Sequence, residues 1–424
     1  MNAHASGSDG RAKPRLFGKL LWVSGGRFGA AVIQAVTLIV VARAMAPSEF
    51  GLLAGVLGLA SLVQSVSDFG IGTFVSVERA RDPDSGAIRS ALNFNALTSS
   101  GLLVVILLGI AAAGTFLDSA YWFMAPLALW ASGERNADTR LAIMFADGDV
   151  WINVSNLILR RTGALGLLAV LIHTDLDPLL AYSASIAVAA AISSTAANVL
   201  VRKRVTREGT MSYRRLMRES RPFWIHSVAT QARNVDTVLV TLAASATQAG
   251  FFSSARRLTT PLLLIPSSLA NLLLPAASRS VAAGTSLRPL IKVVAVLVAS
   301  MSVIYGIVFA AAASLLPALL GQAYAPSVDA LRIVLLGMPF AAASSVLASL
   351  LQGGGRKSFV AAVSVCMVFA SLSFVLAGAL IHGATGASCG VALSMLLHSL
   401  VLVAGFWRSF GKGASLGSTR RTAS

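Results

Sequence analysis

Ten arginines lie within, or at the ends of, hydrophobic stretches that are long enough to cross a lipid bilayer. The only lysines in these stretches, Lys292 and Lys357, lie within the first four residues of theirs. A charged side chain at the bilayer centre costs roughly 2.5 to 3.5 kcal/mol on insertion scales, so it has to face water or a counter-ion. The pattern therefore predicts a pathway for an anionic cargo. The ten residues are Arg27, Arg43, Arg135, Arg140, Arg160, Arg161, Arg233, Arg256, Arg257 and Arg332.

Arginine suits a pyrophosphate group better than lysine does. Its planar guanidinium donates paired hydrogen bonds and keeps its charge on burial, whereas a buried lysine titrates readily. Arg43 and Arg332 lie near the ends of their stretches, where a long side chain can reach the membrane surface instead. The arginines predicted to bind pyrophosphate in a cavity are Arg27, Arg160, Arg161, Arg233, Arg256 and Arg257.

Polar residues near these arginines recur at spacings of three and four, which places them on one stripe of a helix. Arg233 has such neighbours on both sides, and Arg160 follows two asparagines in the same way. We predict that these stripes line the cavity. The lining residues are Gln34, Asn153, Asn156, His226, Thr230, Asn234 and Thr237.

Acidic residues inside membrane segments often mark coupling to protons or sodium ions. Each acid here also has a structural interpretation. Asp236 lies three residues after Arg233, close enough for an ion pair, and Asp138 can pair with Arg135 or Arg140 on its own helix. The candidates for ion coupling are Asp68, Asp138 and Asp236.

The composition is that of a membrane protein. The chain has 424 residues, of which 56% are hydrophobic and only 12% charged, and its mean hydropathy is +0.76. The net charge of +17 is explained by basic cytoplasmic loops, so nucleic acid is not an expected partner. The two cysteines and five histidines lack ligand spacing, so we expect no metal, and no other cofactor is indicated.

Twelve segments have the length and hydrophobicity of a transmembrane helix. Charged residues, including Glu134, interrupt the fourth of them. The segments are 20–44, 50–76, 87–116, 119–145, 150–172, 179–201, 222–246, 249–277, 289–315, 328–351, 357–381 and 385–408.

The basic residues of the loops alternate in a way that supports this count. Apart from the ten arginines, the remaining 24 of the 34 lysines and arginines all lie in, or within four residues of, the tails and alternate loops that this topology places in the cytoplasm. The opposite loops contain none. The positive-inside rule then predicts a multi-pass protein of the bacterial inner membrane with both termini cytoplasmic.

The predicted fold is an all-α integral membrane protein with two six-helix lobes around a central cavity. Because each lobe has an even number of spans, any internal repeat is related by an axis along the membrane normal. The predicted parts are a cytoplasmic tail (1–19), an N-lobe (20–201), a basic cytoplasmic linker (202–221), a C-lobe (222–410) and a second cytoplasmic tail (411–424).

Three stretches resemble the polysaccharide exporters, or O-antigen flippases, of the multidrug, oligosaccharidyl-lipid and polysaccharide exporter superfamily. They are VARAMAPSEFGLLA (41–54), SDFGIGTFVSVERA (67–80) and the region 235–279. The resemblance implies flipping of an undecaprenyl-pyrophosphate-linked oligosaccharide to the periplasmic leaflet by alternating access, for O-antigen, capsule or exopolysaccharide synthesis. It also implies membrane lipid, a polysaccharide polymerase and chain-length proteins as partners.

Two other functions stay open. A multidrug extrusion antiporter shares this fold, and it predicts that acids dominate the cavity instead of arginines. A membrane glycosyltransferase, polymerase or ligase of the same pathway needs a sizeable soluble domain, whereas the longest polar loop here, 202–221, is short. An ATP-driven pump is disfavoured because the chain has no GxxxxGK[ST] phosphate loop.

Overall fold

A computed structural model of the protein describes residues 12–205, 210–283 and 288–410. These residues form α-helices and three short 3₁₀ helices, with no strand among them. By their contacts the helices divide into two compact units, described separately below. The first unit comprises Met1–Val41 and Ala60–Val228, and the second comprises Ala42–Leu59 and Ala229–Ser424.

Thirteen helices are present in the described part of the chain. The first seven are α1 (Ala12–Ala44), α2 (Pro47–Asp68), α3 (Ile71–Arg81), α4 (Gly86–Phe116), α5 (Leu127–Ala146), α6 (Val150–Leu171) and α7 (Pro178–Arg202). The other six are α8 (Tyr213–Gln231), α9 (Asp236–Ala243), α10 (Ala246–Ala282), α11 (Arg288–Leu320), α12 (Ser327–Gly353) and α13 (Lys357–Phe410).

The structure is that of a multi-pass helical membrane protein. Eight helices in the described residues are long and apolar enough to cross a bilayer. Each of the twelve predicted segments coincides with helical residues, and the last two are joined in α13 by non-helical backbone at His382 and Gly383. Twelve crossings therefore stay a prediction.

Three predicted spans are not single helices. The segment 119–145 begins with a 3₁₀ helix, Ser119–Met124, and continues as α5 from Leu127. The segment 50–76 is divided at Phe69 and Gly70, which have φ angles of 50° and 73°. A left-handed backbone at two successive residues ends α2 and starts α3 in a new direction. The segment 222–246 is divided by a 3₁₀ turn, Ala232–Val235, between α8 and α9.

The segment 202–221, predicted as a linker, is helical in its last nine residues because α8 begins at Tyr213. Pro222 therefore lies inside α8 and does not mark its start. The beginning of α8 contacts the first unit through Leu216, which is fully buried there.

The core of the first unit is formed where α5 packs against α3, α4, α6 and α7. Small residues allow this packing: Gly133 of α5 faces the Ala190 backbone of α7, with only 3.1 Å between its missing Cβ and the Ala190 carbonyl oxygen. At one end, apolar side chains of α3, α4, α5, α7 and α8 form a common cluster that includes Ile71, Ile88, Leu141 and Leu216.

The second unit is built from α10, α11, α12 and α13, and it includes the hairpin between α1 and α2. The hairpin is held at several points. Phe50 packs edge-on against Tyr324, and the Tyr324 hydroxyl donates a hydrogen bond to the Met45 carbonyl. Glycines meet where the helices cross, because a Cβ on Gly51 would lie 2.6 Å from the Gly250 nitrogen and one on Gly250 would overlap the Pro47 carbonyl oxygen.

Large apolar side chains cover the outer faces of several long helices. Leu97 and Leu108 of α4 are exposed, as are Val303 of α11 and Phe369 of α13. Patches of this kind are rare on soluble monomers, whereas the hydrocarbon of a bilayer covers them without cost.

The turn between α5 and α6 carries a cluster of charges. Arg79 donates to both Asp147 oxygens at 2.7 and 3.2 Å, and Arg204 donates to Asp147 at 3.3 Å and to Asp149 at 2.6 Å. Partial burial by itself raises the pKa of Asp147, but the hydrogen bonds and charges of the two arginines outweigh it and hold this pKa below its ordinary value. The cluster therefore joins the ends of α3, α5, α6 and α7.

We expect Gly250→Ala to destabilise the protein by about 1 to 3 kcal/mol or more, because the new methyl group would overlap the backbone of Pro47. The fraction of protein that stays monodisperse after heating in detergent measures this. The matched control is Gly109→Ala on α4, whose Cβ would meet no atom within 4 Å. Equal melting temperatures for the two variants would contradict the packing described here.

Asp147 should make stability depend on pH. Its lowered pKa means that the stabilisation is complete above the ordinary aspartate value of about 4 and is lost as the pH falls through the lowered one. Asp147→Asn should lower the free energy of unfolding at pH 7 by about 1 kcal/mol and flatten the loss of stability below about pH 4. Asp175→Asn, at an exposed loop residue, is the control.

Candidate functional site

Two arginines of α6 share one carboxylate oxygen of α5. Oε1 of Glu134 lies 3.0 Å from Nη2 of Arg160 and 3.0 Å from Nη2 of Arg161. Arg160 lies ten residues after the first residue of this 22-residue helix, which at 1.5 Å per residue places it about 15 Å along the axis, near its middle. A pair of guanidinium groups is therefore held side by side at the centre of a predicted span.

A second carboxylate contacts the same pair from a more open position. Asp138, one turn after Glu134 on α5, lies 3.0 Å from Nη1 of Arg160. The side chain of Arg160 is only 5% exposed, whereas that of Asp138 is 58% exposed. The predicted partners of Asp138 on its own helix, Arg135 and Arg140, were wrong, because the α5 side chain reaches across to α6.

Arg135 points to the other side of α5. Its Nε lies 3.7 Å from Oδ1 of Asp68, the last residue of α2, and its Nη2 donates to the Thr98 hydroxyl at 2.5 Å. Its Nε and Nη1 are buried without a hydrogen-bond partner among the described residues. Asp68 thus neutralises a guanidinium that is otherwise only partly satisfied.

Polar side chains of α4, α5 and α7 form a hydrogen-bonded chain next to these charges. Asn136 accepts from Asn95 at 3.2 Å and from Nε of Arg140 at 3.2 Å, and it donates to Ser194 at 2.7 Å. Thr139 donates to the Asn95 oxygen at 3.2 Å. Such a network fixes the rotation of α5, and with it the direction in which Glu134 and Asp138 point.

The second unit has an ion pair on α9 and α10. Asp236, the first residue of α9, accepts from Nη2 of Arg256 at 2.8 Å and from the Thr237 backbone at 2.7 Å. The sequence predicted Arg233 as the partner of Asp236, which was wrong. Arg233 lies in the 3₁₀ turn, where the chain departs from α-helical spacing, and its side chain is exposed and within electrostatic range of Arg256.

The other predicted residues of the second unit lie near this pair or on the hairpin contact. Thr237 is buried, and its hydroxyl donates to Asp236 at 3.2 Å. Asn234 donates to Gln231 at 2.9 Å, and its own carbonyl approaches Gly58 of α2. Nη2 of Arg257 lies 3.5 Å from the Ala54 carbonyl of α2.

The remaining predicted residues belong to the first unit. Asn156 accepts from Ser193 at 2.6 Å, which links α6 to α7. Arg27 is exposed on α1, and Gln34 and Asn153 are half-buried. His226 and Thr230 lie on α8, and their side chains are outside the described residues. Among the predicted arginines of this unit, Arg160 and Arg161 lie together on α6, whereas Arg27 lies on α1.

Two arginines near span ends have structural partners. Arg43 donates from Nε to the Leu319 carbonyl at 2.6 Å and also to the Ala318 carbonyl, at the C-terminal end of α11. A cation there satisfies carbonyls that the helix leaves unpaired. Arg332 packs over the Phe309 ring, with 5.4 Å from Cζ to the ring centroid.

Glu134, Asn95 and Asn136 are the site residues that sequence reasoning did not predict. The signal for Glu134 was present, since Glu134 and Asp138 are four residues apart and therefore on one face of α5. The pairing of α5 with α6 was not in the sequence. Within the described residues, no group of three His, Cys, Asp or Glu side chains is placed to hold a metal ion.

The site is thus a set of charges that the protein only partly neutralises. In the α5 and α6 helices and the end of α2, four arginines (135, 140, 160 and 161) meet three acids (68, 134 and 138). In α9, the preceding 3₁₀ turn and the first half of α10, three arginines (233, 256 and 257) meet one acid, Asp236. Either set of arginines can bind an anion in two ways. The anion can replace an internal carboxylate on its arginine, or it can bind alongside that carboxylate.

Comparisons with known proteins agree with this kind of molecule. A sequence model of the family described as "Polysaccharide biosynthesis protein" matches residues 16–281. No curated protein matches the chain. Solved structures do match it over nearly its whole length.

An inward-facing multidrug resistance MATE family transporter of the MOP superfamily has a TM-score of 0.72 and 15% identity, over 91% of this chain and 96% of that one. A MOP superfamily transporter from Pyrococcus furiosus Vc1, described as having a binding pocket of reverse polarity, has a TM-score of 0.64 and 14% identity, over 92% and 95%. A mutant of the Vibrio cholerae MATE transporter VcmN has a TM-score of 0.59 and 14% identity, over 94% and 96%. These likenesses show that the chain has the fold of MOP transporters.

We expect Glu134→Gln to cost about 3 to 5 kcal/mol of stability, because it leaves two adjacent guanidinium groups without their shared anion. Heat-challenge chromatography of the purified variant measures the loss. Glu219→Gln, which removes the exposed partner of Arg215, should change stability by less than about 1 kcal/mol. If Glu134→Gln matched the control, the shared carboxylate would not be holding the pair.

Proposed function

The chain belongs to the polysaccharide biosynthesis protein family, and on this basis we propose that it is a flippase for an undecaprenyl-pyrophosphate-linked oligosaccharide. It moves the lipid-linked repeat unit from the cytoplasmic to the periplasmic leaflet of a bacterial inner membrane. The product supplies O-antigen, capsule or exopolysaccharide synthesis. The protein acts as a secondary-type transporter, and it does not make or break a covalent bond.

One observation carries this proposal: Arg160 and Arg161 present two guanidinium groups side by side at the middle of α6. A pyrophosphate diester carries two adjacent negative charges, and two guanidinium groups that share one carboxylate oxygen offer it two neighbouring positive charges and several donors. Glu134 keeps the two groups together through one buried oxygen, and the second carboxylate that neutralises the pair, Asp138, is largely exposed.

We propose that the Asp138 carboxylate occupies the position on Arg160 that the pyrophosphate of the cargo takes when it binds. It forms an ion pair with a buried arginine although more than half of its own side chain is exposed, so it is the partner that can leave. When a pyrophosphate approaches, it replaces the Asp138 carboxylate on Arg160, and that carboxylate returns to water. The exchange spares the protein from ever exposing an uncompensated buried cation.

The second unit offers a corresponding set. Arg256 is paired with Asp236, and Arg233 is exposed next to it in a broken helix. Broken membrane helices line binding sites in many transporters because their free backbone groups need polar partners. We propose that Arg27 in the first unit and Arg233, Arg256 and Arg257 in the second also bind the cargo, which moves by alternating access of two six-helix lobes.

Ion coupling is the third part of the proposal. A carboxylate released from its arginine takes up a proton or a sodium ion more readily, so cargo binding and ion binding become linked. Asp138, Asp236 and Asp68 each form such a pair, at 3.0, 2.8 and 3.7 Å.

Multidrug extrusion is the second candidate. The observation that favours it is the exposure of Asp138, because an accessible carboxylate attracts an organic cation. Against it stands the excess of arginine over acid in both sets of charges. The two functions differ in the sign of the cargo, so one assay separates them.

The test uses the full-length protein in vesicles with a fluorescent short-chain polyprenyl-pyrophosphate-linked sugar. Four variants are compared with the wild type: Arg160→Lys, Arg161→Lys, Arg233→Lys and Arg256→Lys. Each keeps the positive charge but loses the planar guanidinium group with its paired donors, so we expect each to lower the transport rate at least tenfold. Arg332→Lys is the control, since Arg332 packs on Phe309. Wild-type rates in all four variants would refute the proposed site.

The same vesicles separate the two candidate functions. Efflux of a fluorescent organic cation that exceeds transport of the lipid-linked sugar, and that is lost in Asp138→Asn, would favour multidrug extrusion. For the flippase, Asp138→Asn should instead tighten binding of the anionic cargo, because the internal competitor has lost its charge.

A further inference from the structure

The first nine residues of α8 form a short amphipathic helix whose exposed face is rich in arginine. Arg214, Arg218 and Arg221 lie at positions i, i+4 and i+7, so they share one stripe of the helix. All three are exposed. Leu216 and Ser220, also four residues apart, lie on the opposite side and are fully buried.

This segment is held firmly against the first unit. The Met211 backbone donates to the Ser90 hydroxyl of α4 at 2.9 Å, just before α8 begins. The Tyr213 ring packs 5.1 Å from that of Phe94, and Leu216 joins the apolar cluster of α3, α4, α5 and α7. The arginine stripe is therefore displayed by a fixed helix and not by an unstructured linker.

The end of the segment is anchored equally well. The Trp224 indole donates to the Val66 carbonyl at 2.8 Å, near the C-terminal end of α2. Its ring stacks on Phe69 at 5.4 Å. Gly70 allows this approach, since a Cβ there would lie 2.6 Å from both the Ser220 carbonyl oxygen and the Trp224 nitrogen.

The residues on either side of the stripe differ in character. Between the buried side and the arginines lie Tyr213 and Met217, which are 43% and 39% exposed. On the other flank lie Arg215 and Glu219, which pair with each other at 2.8 Å. One flank is thus apolar and aromatic, and the other is charged but internally neutral.

We propose that this face of α8 is a binding surface for the anionic phospholipid headgroups of the cytoplasmic leaflet. Aromatic and apolar residues beside a basic stripe are the composition of helices that lie at a membrane surface. Tyr213 and Met217 enter the headgroup boundary, Arg214, Arg218 and Arg221 contact phosphates, and the Arg215–Glu219 pair faces the aqueous side. The surface depends on the predicted topology but not on the cargo of the transporter.

A purely topological role does not account for the arrangement. The positive-inside rule depends on the number of basic residues near the membrane and not on their periodicity or on a rigid support. Each basic residue close to an anionic surface contributes roughly fivefold in affinity, so three on one stripe give on the order of a hundredfold.

The test measures how strongly the purified full-length protein retains phosphatidylglycerol. The protein is reconstituted in vesicles of phosphatidylcholine with about one-fifth phosphatidylglycerol, re-extracted in mild detergent, and analysed for bound lipid by mass spectrometry at low and high salt. We expect the triple variant Arg214→Gln, Arg218→Gln, Arg221→Gln to lower the retained phosphatidylglycerol at least tenfold at low salt. The wild type should lose retained lipid as salt rises.

A matched control removes three exposed basic residues elsewhere at the predicted cytoplasmic side: Arg356→Gln, Lys357→Gln, Arg408→Gln. It should retain phosphatidylglycerol like the wild type. Equal losses in the two triple variants would overturn the proposal, because retention would then follow total charge alone. Retention should also persist in Arg215→Gln.

Two further arms exclude other occupants of the surface. The triple variant Arg214→Lys, Arg218→Lys, Arg221→Lys should retain phosphatidylglycerol within about threefold of wild type, since a lipid surface needs charge and not the planar guanidinium group. Loss in that variant, or displacement of the lipid by sub-millimolar inorganic pyrophosphate, would point to a discrete phosphate site and overturn the proposal. A different oligomeric state in the triple glutamine variant and in the wild type, with lipid retention unchanged, would show a contact between copies instead.

Discussion

A guanidinium group buried among membrane helices needs a negative or polar partner, because the hydrocarbon supplies neither water nor counter-ions. The first unit satisfies this requirement with acids from other helices. Glu134 of α5 forms ion pairs with Arg160 and Arg161 of α6 through one oxygen. Asp68 of α2 pairs with Arg135 of α5. The same contacts fix the mutual rotation of α2, α5 and α6, so the charges that are candidates for binding cargo also hold their helices in place.

Close backbone approach is the second constraint. Apolar side chains contribute little to association within lipid, so helices associate through small residues and polar contacts. Gly250 lies against the Pro47 backbone in the second unit, and Gly70 lies against Ser220 and Trp224 in the first. The hairpin between α1 and α2 therefore belongs to the second unit although most of the surrounding chain belongs to the first. Dividing the sequence at the basic linker 202–221 would instead assign the hairpin to the first unit.

The arginines fall into two groups with different surroundings. Those in the middle of the predicted spans outnumber the acids near them, and this excess is what supports the proposal of an anionic cargo. The arginines of the first turns of α8 lie on a helix that hydrophobic contacts of Leu216 hold in place. Guanidinium suits the first set because it keeps its charge in a poorly hydrated site, whereas the exposed α8 set needs only positive charge.

The sequence by itself determined the class of the protein, the helical segments and the family resemblance. These depend on hydrophobic length, on the positive-inside charge pattern and on local motifs, which are properties of neighbouring residues. It did not determine which acid meets which arginine. Asp138 pairs with Arg160 and Asp236 with Arg256, and both pairings cross between helices. Only the tertiary structure decided them, because the rotation of each helix follows from side-chain packing and hydrogen bonds to residues that are distant in sequence.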